Sequence, residues 1–441
     1  MAQKTAIEWT DSTWSPIRVR VRQDAPSIAK AKGYASLVDI AMKMRGHVGQ
    51  HCEHVSPGCE HCYAETNNHR CLPSNGTGLP YDRRSRDMVE AFVDEKVLLQ
   101  PLKWKPVTEA CLGCKAALAK GVINSVSGCN SLESRPRRIF VENQSDLFGE
   151  WVTDEMLDQV FAVMVLCPQH IFQVLTKRPE RMLRYLTRNA RISVGLEALS
   201  ITCQLYERKP SNLGAGLTMS AKPGHEGELS VWPLPNVWLG VSVEGDTVRE
   251  RARTLLKVPA AKRFLSCEPL IESLSLRWIE AAELGTPHAR HKFPLPNAEG
   301  YCVTDEYDGL REFDWVICGG ESGPNARPMQ PAWARSLRDQ CAAASVPFFF
   351  KQWGEWVGIE SIAKGNGFRL GLGDGIPISA ASDLKRMLRW ENDTPRAPRA
   401  DDTLDSFMGA GSVLSFRSGK VDAGALLDGR EWKQFPEVYH G

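Results

Sequence analysis

From Arg137 onward the chain alternates short apolar runs with longer amphipathic ones. RRIFVENQSD is apolar to Val141 and turns polar at Glu142, Asn143 and Asp146. Residues 153–166 then read as a helix, with Thr153 as N-cap and Glu155 in the first turn. HIFQVLTKRPE repeats the scheme, with Ile171 to Leu175 as strand, Thr176, Lys177 and Arg178 at its end, and a helix through Leu186. NVWLGVSVEGD ends in Ser242 and Glu244 before a helix from about Asp246, and KRFLSCEPL ends in Ser266, Cys267 and Glu268. DWVICGGESGP ends in Gly319, Gly320 and Glu321 and is followed by a helix from Pro331 to Ala344; PFFFKQWG ends in Lys351 and Gln352.

Six apolar strands alternating with helices pair in parallel through right-handed crossovers. That pattern admits a (β/α) barrel or an open doubly wound sheet, and in either the ligand site lies at the carboxyl ends of the strands. Those ends carry Glu142, Lys177, Glu244, Glu268, Glu321 and Lys351. Solvated strand ends would explain any one of them; six in register predict a polar-lined cavity.

Ahead of this array, residues 4–17 are rich in β-branched and aromatic residues and read as a strand or extended leading segment that stops at Ser15-Pro16. Residues 18–46 place Ile28, Leu37, Ile40, Ala41 and Met44 at helical spacing and read as an inserted helix. Residues 86–100 set Met88, Phe92 and Val93 near one face. Stretches near 18–46, 107–134, 197–232 and 280–312 are rich in Gly, Pro, Ser and charge, as surface insertions are. The organisation expected is a barrel over residues 1–354 and a C-terminal extension over 355–441.

Length and composition suit that reading. The 441 residues are 42% hydrophobic, enough for one large α/β barrel with insertions and a tail. A net charge of +1 exerts no general pull on nucleic acid or membrane, so such binding would need a local patch. Arg83-Arg84-Ser85-Arg86 and Arg135-Pro136-Arg137-Arg138 are the basic groups on offer, and a solvated face is the simpler reading of each. MAQKTAIEWT holds no apolar signal region and no run of 18 apolar residues occurs, so a soluble cytoplasmic protein is expected. Thirteen cysteines without a signal peptide argue for reduced thiols and metal ligation, not a disulfide framework.

The stretch HCEHVSPGCEHCYAE spaces Cys52, Cys59 and Cys62 as C-x6-C-x2-C around a Pro57-Gly58 turn. Three thiolates on one loop point to a metal. Zinc would close its shell with Cys71 or with His47, His51, His54, His61 or His69, whereas a 4Fe-4S cluster on three cysteines leaves one iron free for a ligand. Spacing alone does not separate the two. Cys111, Cys114 and Cys129, spaced C-x2-C-x14-C, form a second thiol group for zinc, an iron-sulfur cluster or a redox pair, or are incidental loop cysteines. A cluster above carboxylates and a Gly-Gly backbone is what binding S-adenosylmethionine requires: the free iron chelates the amino and carboxylate groups, and one-electron reduction cleaves the sulfonium to a 5′-deoxyadenosyl radical.

At this point IEWTDSTWSP, CEHVSPGCEHCYAE, IFVENQSDLFGE, FQVLTKRPERM, PLPNVWLGVSVE, RFLSCEPL, DWVICGGESGPNARPM, VPFFFKQWG and LLDGREWKQFPE are in view. Together they resemble a phage-encoded family of three-cysteine proteins similar to radical S-adenosylmethionine enzymes. The resemblance implies a partial (β/α)6 TIM-like barrel with a 4Fe-4S cluster on Cys52, Cys59 and Cys62, S-adenosylmethionine as cofactor and an electron donor as partner, in a bacterial host. Cofactor contacts would come from Glu142, Asn143, Lys177, Ser242, Glu244, Glu268, Gly319, Gly320 and Glu321.

Two departures stand out. The commonest radical spacing is C-x3-C-x2-C, and where the superfamily often has Gly-Gly-Glu after the second strand this chain has Glu142-Asn143, its Gly319-Gly320-Glu321 falling later. The reaction expected is radical modification of an unidentified substrate, with nucleic acid or a nucleotide preferred. The alternative from another class is a zinc-stabilised, non-catalytic module that binds nucleic acid or protein; a third reading is a redox sensor that keeps the cluster without turnover.

Overall fold

The computed structural model describes residues 5, 7–70, 76–110, 132–188, 190–208, 229–280, 295–296, 302–303, 306–358, 387–391, 393–397 and 413–437. Seven parallel strands form the central sheet: β1 Ser12–Trp14, β2 Arg137–Val141, β3 His170–Thr176, β4 Val237–Ser242, β5 Lys262–Cys267, β6 Trp315–Gly319 and β7 Phe348–Gln352. Their spatial order is their chain order. With no reversal of direction there is no switch point, so every crossover returns on the same side and the sheet curls into a half-barrel instead of a doubly wound layer. The six expected strands are all present, and the leading segment supplies the seventh at the edge, where Thr13 pairs with Phe140.

The alternation along each strand separates two cores. Outward residues such as Val141, Phe172, Val174, Leu239, Val241, Leu265, Val316 and Phe350 pack in the larger cluster with the helices. Helix Asp154–Val165 follows β2, and Thr153 caps it by accepting from the Met156 amide at 3.3 Å. Pro179–Thr187 follows β3, Glu250–Lys257 follows β4, and Pro331–Ala344 joins β6 to β7. Inward residues are aromatic: Phe140, Trp238, Phe264, Trp315 and Phe349 fill the barrel with Ile171, Ile317 and Trp9. Trp315 is the hub, its ring centroid 6.2 Å from Trp9, 6.2 Å from Trp238, 6.0 Å from Phe264 and 5.9 Å from Phe349. These rings stand toward the amino ends of the strands, which leaves the carboxyl ends to polar side chains.

The β1–β2 connection carries most of the added structure. Ile17–Val21 pairs antiparallel with Val48–Gly49 on one side and Val89–Val93 on the other. Residues 18–46 are not one inserted helix: after that strand come Ala25–Ala31 and Ala35–Lys43, broken where Gly33 takes φ +72°. Their face is nonetheless inward at Leu37, Ala41 and Met44. Met88 and Val89 are buried on a strand and its approach, and Phe92 stacks under Arg20 at 4.8 Å.

Beyond β7, Trp356–Gly358, Val413–Arg417, Met387–Glu391 and Thr394–Arg396 build a small antiparallel sheet. The chain then returns to the barrel. The Phe350 amide donates to Trp432 O at 2.7 Å, the Trp315 indole donates to Gln434 O at 2.8 Å, and Phe435 stacks on Trp315 and under the Arg138 guanidinium, 4.0 Å from its ring. Arg138 lies on β2, so Phe435 bridges residues of β6, β7 and β2. The basic group at 135–138 therefore does no anion binding at the strand ends: Arg135 and Arg138 are held by Asp11 at the opposite end of the barrel.

Gly240 faces into the aromatic core, where an added Cβ would lie 2.4 Å from the Phe264 ring. Gly240→Ala is expected to cost about 1–3 kcal/mol in denaturant unfolding by overpacking, and Phe264→Leu in the same chain should recover part of that loss.

Candidate metal centre

The cysteine loop leaves the carboxyl end of β1 and lies across the carboxyl ends of the other strands. Cys59 is buried in the 3-10 turn Pro57–Cys59, and Cys52 and Cys62 are half-buried. The loop is fastened to the barrel at five places. Ser145 Oγ donates to His51 O at 2.6 Å, and Arg178 Nη2 donates to Glu53 O at 3.1 Å. Tyr63 hydroxyl donates to Asn143 O. Ser56 Oγ donates to Glu244 Oε1 at 2.9 Å, and an added Cβ on Gly58 would stand 2.5 Å from Glu244 Cγ. Arg327 donates to Pro57 O at 3.0 Å, pairs with Glu60 at 3.2 Å and holds Glu321 at 2.6 Å, while His61 Nδ1 lies 3.1 Å from Glu321 Oε2.

Adjacent residues at the end of β3 serve two of the three sulfurs. Lys177 Nζ donates to Cys59 Sγ at 3.4 Å and pairs with Glu244. Glu244 in turn accepts from Arg251 Nη1 at 2.8 Å. Arg178 stands beside Cys52, anchored by Asp146 at 2.8 Å and stacked over Trp151. Burial pushes the Cys59 thiol up, but the Lys177 ammonium, the Val55 and Ser56 amides and the Ser56 hydroxyl outweigh it and hold Cys59 below the usual thiol range. Cys52, with burial dominant over Arg178, is pushed up to about 12, and burial also raises Cys62 against the Ala64 and Glu65 amides. Glu244 would be raised by burial; Lys177 and Arg251 bring it below the usual carboxylate range.

The other expected site residues fall in four places. Lys351 Nζ donates to Glu268 Oε1 at 2.6 Å, so both face the mouth as a pair, with the Gly319 Cβ position 3.3 Å from Glu268 Cδ. Gly320 is packed against the end of β7, where a Cβ would meet Trp353 O at 1.9 Å. Ser242 is buried and offers its carbonyl to Arg251. Glu142 and Asn143 stand where β2 ends: Asn143 Oδ1 accepts from Ser15 at 3.3 Å, and Glu142, at φ +54°, accepts the Ile17 amide at 2.8 Å. Five of the six charged strand ends are thus paired, as Lys177–Glu244, Glu268–Lys351 and, with a residue of the connection after β6, Glu321–Arg327. Arg178, Arg251, Arg327, Ser56 and Gly58 were not singled out as site residues, although Arg178 directly follows Lys177 in TKRPE.

Among the described residues, no three His, Cys, Asp or Glu side chains converge closely enough to hold a single metal ion. His51 is buried against Trp151, His54 bonds Glu65 at 2.8 Å, His61 is turned to Glu321, and His69 Nδ1 donates to Gly78 O at 3.2 Å. Cys71, Cys111, Cys114 and Cys129 lie outside the described residues. Cys52, Cys59 and Cys62 lie close enough to act on one another electrostatically, and each has a cation or amide partner, Arg178 at Cys52, Lys177 at Cys59 and the Ala64 and Glu65 amides at Cys62, a donor set that suits ligating thiolates.

Fold and site define an α/β half-barrel protein with a three-thiol loop over its mouth. A family model described as "Protein of unknown function (DUF5131)" matches residues 45–436, and the chain belongs to that family. No curated protein and no solved structure matches it. No helix among the described residues is long and apolar enough to cross a membrane.

Two measurements test this geometry. Burial pushes Glu142 up to about 8, against the Ile17 amide, and its Oε2 has no hydrogen-bond partner. A raised folded pKa means that its contribution is fully present below the unfolded value and is lost as pH rises through about 8. Relative to wild type, Glu142→Gln should gain stability at about 1.4 kcal/mol per pH unit across that window, read by urea unfolding at several pH values. Arg327→Ala removes the fastening to Pro57, Glu60 and Glu321; amide exchange in residues 56–62 should quicken while that of β3 and β4 holds.

Proposed function

We propose that the protein is a radical S-adenosylmethionine enzyme with a 4Fe-4S cluster on Cys52, Cys59 and Cys62. The observation that carries this reading is the set of three thiols fastened over the carboxyl ends of a parallel half-barrel, each with a donor beside its sulfur. Bound there, such a group supplies one-electron reductive cleavage of S-adenosylmethionine to methionine and a 5′-deoxyadenosyl radical, the electron coming from an external donor.

The residues of the chain then have distinct tasks. Arg178, Lys177 and the Ala64 and Glu65 amides hold the thiolates. The aromatic floor of Trp9, Phe264 and Trp315 closes the barrel below the site and excludes water from that side. Glu268, Lys351, Glu321 and Arg327 face the mouth as ion pairs that a zwitterionic cofactor can exchange for its own amino and carboxylate groups. A nucleotide or nucleic acid is the substrate class we favour, and the turn Arg83–Arg86 supports it: Arg86 pairs at 3.3 Å with Glu53, next to Cys52, and Arg83 on the same turn is exposed.

Anaerobic purification with iron, sulfide and zinc analysis, and electron paramagnetic resonance of the reduced protein with and without S-adenosylmethionine, tests the assignment on wild type and Cys59→Ala. Expected are iron and sulfide in wild type, a reduced-cluster signal that shifts on adding the cofactor, and no signal in the variant. Stoichiometric zinc without iron after reconstitution would overturn the radical mechanism in favour of a zinc-stabilised binding module.

A further inference from the structure

We propose that Lys177 is a positioning residue for Cys59, which it holds by an N–H···S hydrogen bond and whose negative charge it offsets, so that removing it lowers the reduction potential of the bound cluster. This rests on the cluster assignment above and goes beyond it, giving a side chain outside the cysteine loop an electronic task.

The geometry leaves the ammonium little freedom. Lys177 projects from the end of β3 with its side chain 19% exposed, its Nζ 3.4 Å from Cys59 Sγ and paired with Glu244. Glu244 is fixed on both oxygens: Oε1 accepts from Ser56 at 2.9 Å as well as from Lys177, and Oε2 accepts from Arg251 at 2.8 Å. Gly58 presses on the same carboxylate, so the cysteine loop, Glu244 and Lys177 are in mutual contact. An ammonium has three donors and no acceptor, and here Glu244 and the sulfur take two of its directions. Swinging Lys177 to solvent would leave Glu244, 1% exposed, without the cation paired to its Oε1. Donors to a ligating sulfur stabilise the more negative, reduced state of a cluster and raise its potential.

The experiment reconstitutes the full chain anaerobically as wild type, K177R, K177Q and K177M and titrates each against potential, following the reduced-cluster resonance. K177M and K177Q should load iron and sulfide and show midpoints more negative than wild type, with K177R close to wild type. Because K177M leaves Glu244 short of a cation, K177M/E244Q restores charge balance and should still lie below wild type, since the donor to sulfur is gone. A double variant back at the wild-type midpoint would assign the shift to Glu244 and overturn the role of Lys177. Equal midpoints in wild type and K177M overturn it as well, with the cluster assignment intact. Wild type that takes up no iron and sulfide overturns the cluster assignment and the proposal together.

Discussion

The buried carboxylate of Glu244 is the constraint on which the site is built. A charge removed from water is tolerated only where opposite charge and donors surround it. Glu244 draws those partners from three parts of the chain: Lys177 at the end of β3, Arg251 on the helix after β4, and Ser56 in the cysteine loop. Satisfying one carboxylate therefore docks the loop on the barrel and aims Lys177 at Cys59. The loop's place on the barrel thus rests on side chains from three separate parts of the chain.

The barrel divides its labour along its axis. Aromatic rings fill the amino ends of the strands and make that end rigid and dry; ion pairs occupy the carboxyl ends, where a polar ligand can exchange for them. The glycines mark the crowded points between these layers. Gly240 makes room for the Phe264 ring below, and Gly320 lets the ends of β6 and β7 meet above. Gly-Gly-Glu at 319–321 is thus partly a packing device, and its Glu321 is turned to Arg327 and His61.

Much of the fold was legible because its signals are local. Apolar runs of strand length, the Thr153 cap and the Pro331 start of the last helix each depend on residues within one turn of each other. The inserted helix at 18–46 was misread because period alone does not register that Gly33 ends one helix before the next begins. The candidate site was half legible: the charged strand ends were visible, but their pairing was not. Lys177 and Cys59 are 118 positions apart, and Lys351 and Glu268 are 83 apart, so only the closed barrel brings them together. Arg327 was hidden for a different reason, since it lies in a connection without periodicity. Two basic groups looked alike in sequence, yet Arg135 and Arg138 are clamped by Asp11 at the far end while Arg86 stands beside the cysteine loop.

The return of residues 432–435 to the barrel bears on how the aromatic floor is held. Trp315, its centre, takes its stacking partner Phe435 and its indole acceptor Gln434 from a segment that belongs to no strand of the central sheet, Gln434 lying 119 positions further along the chain. The same Phe435 ring lies under the Arg138 guanidinium of β2. Peeling this segment away would uncover apolar rings and leave a buried indole N–H without its acceptor at the same moment, so it acts as a latch whose release carries two costs together.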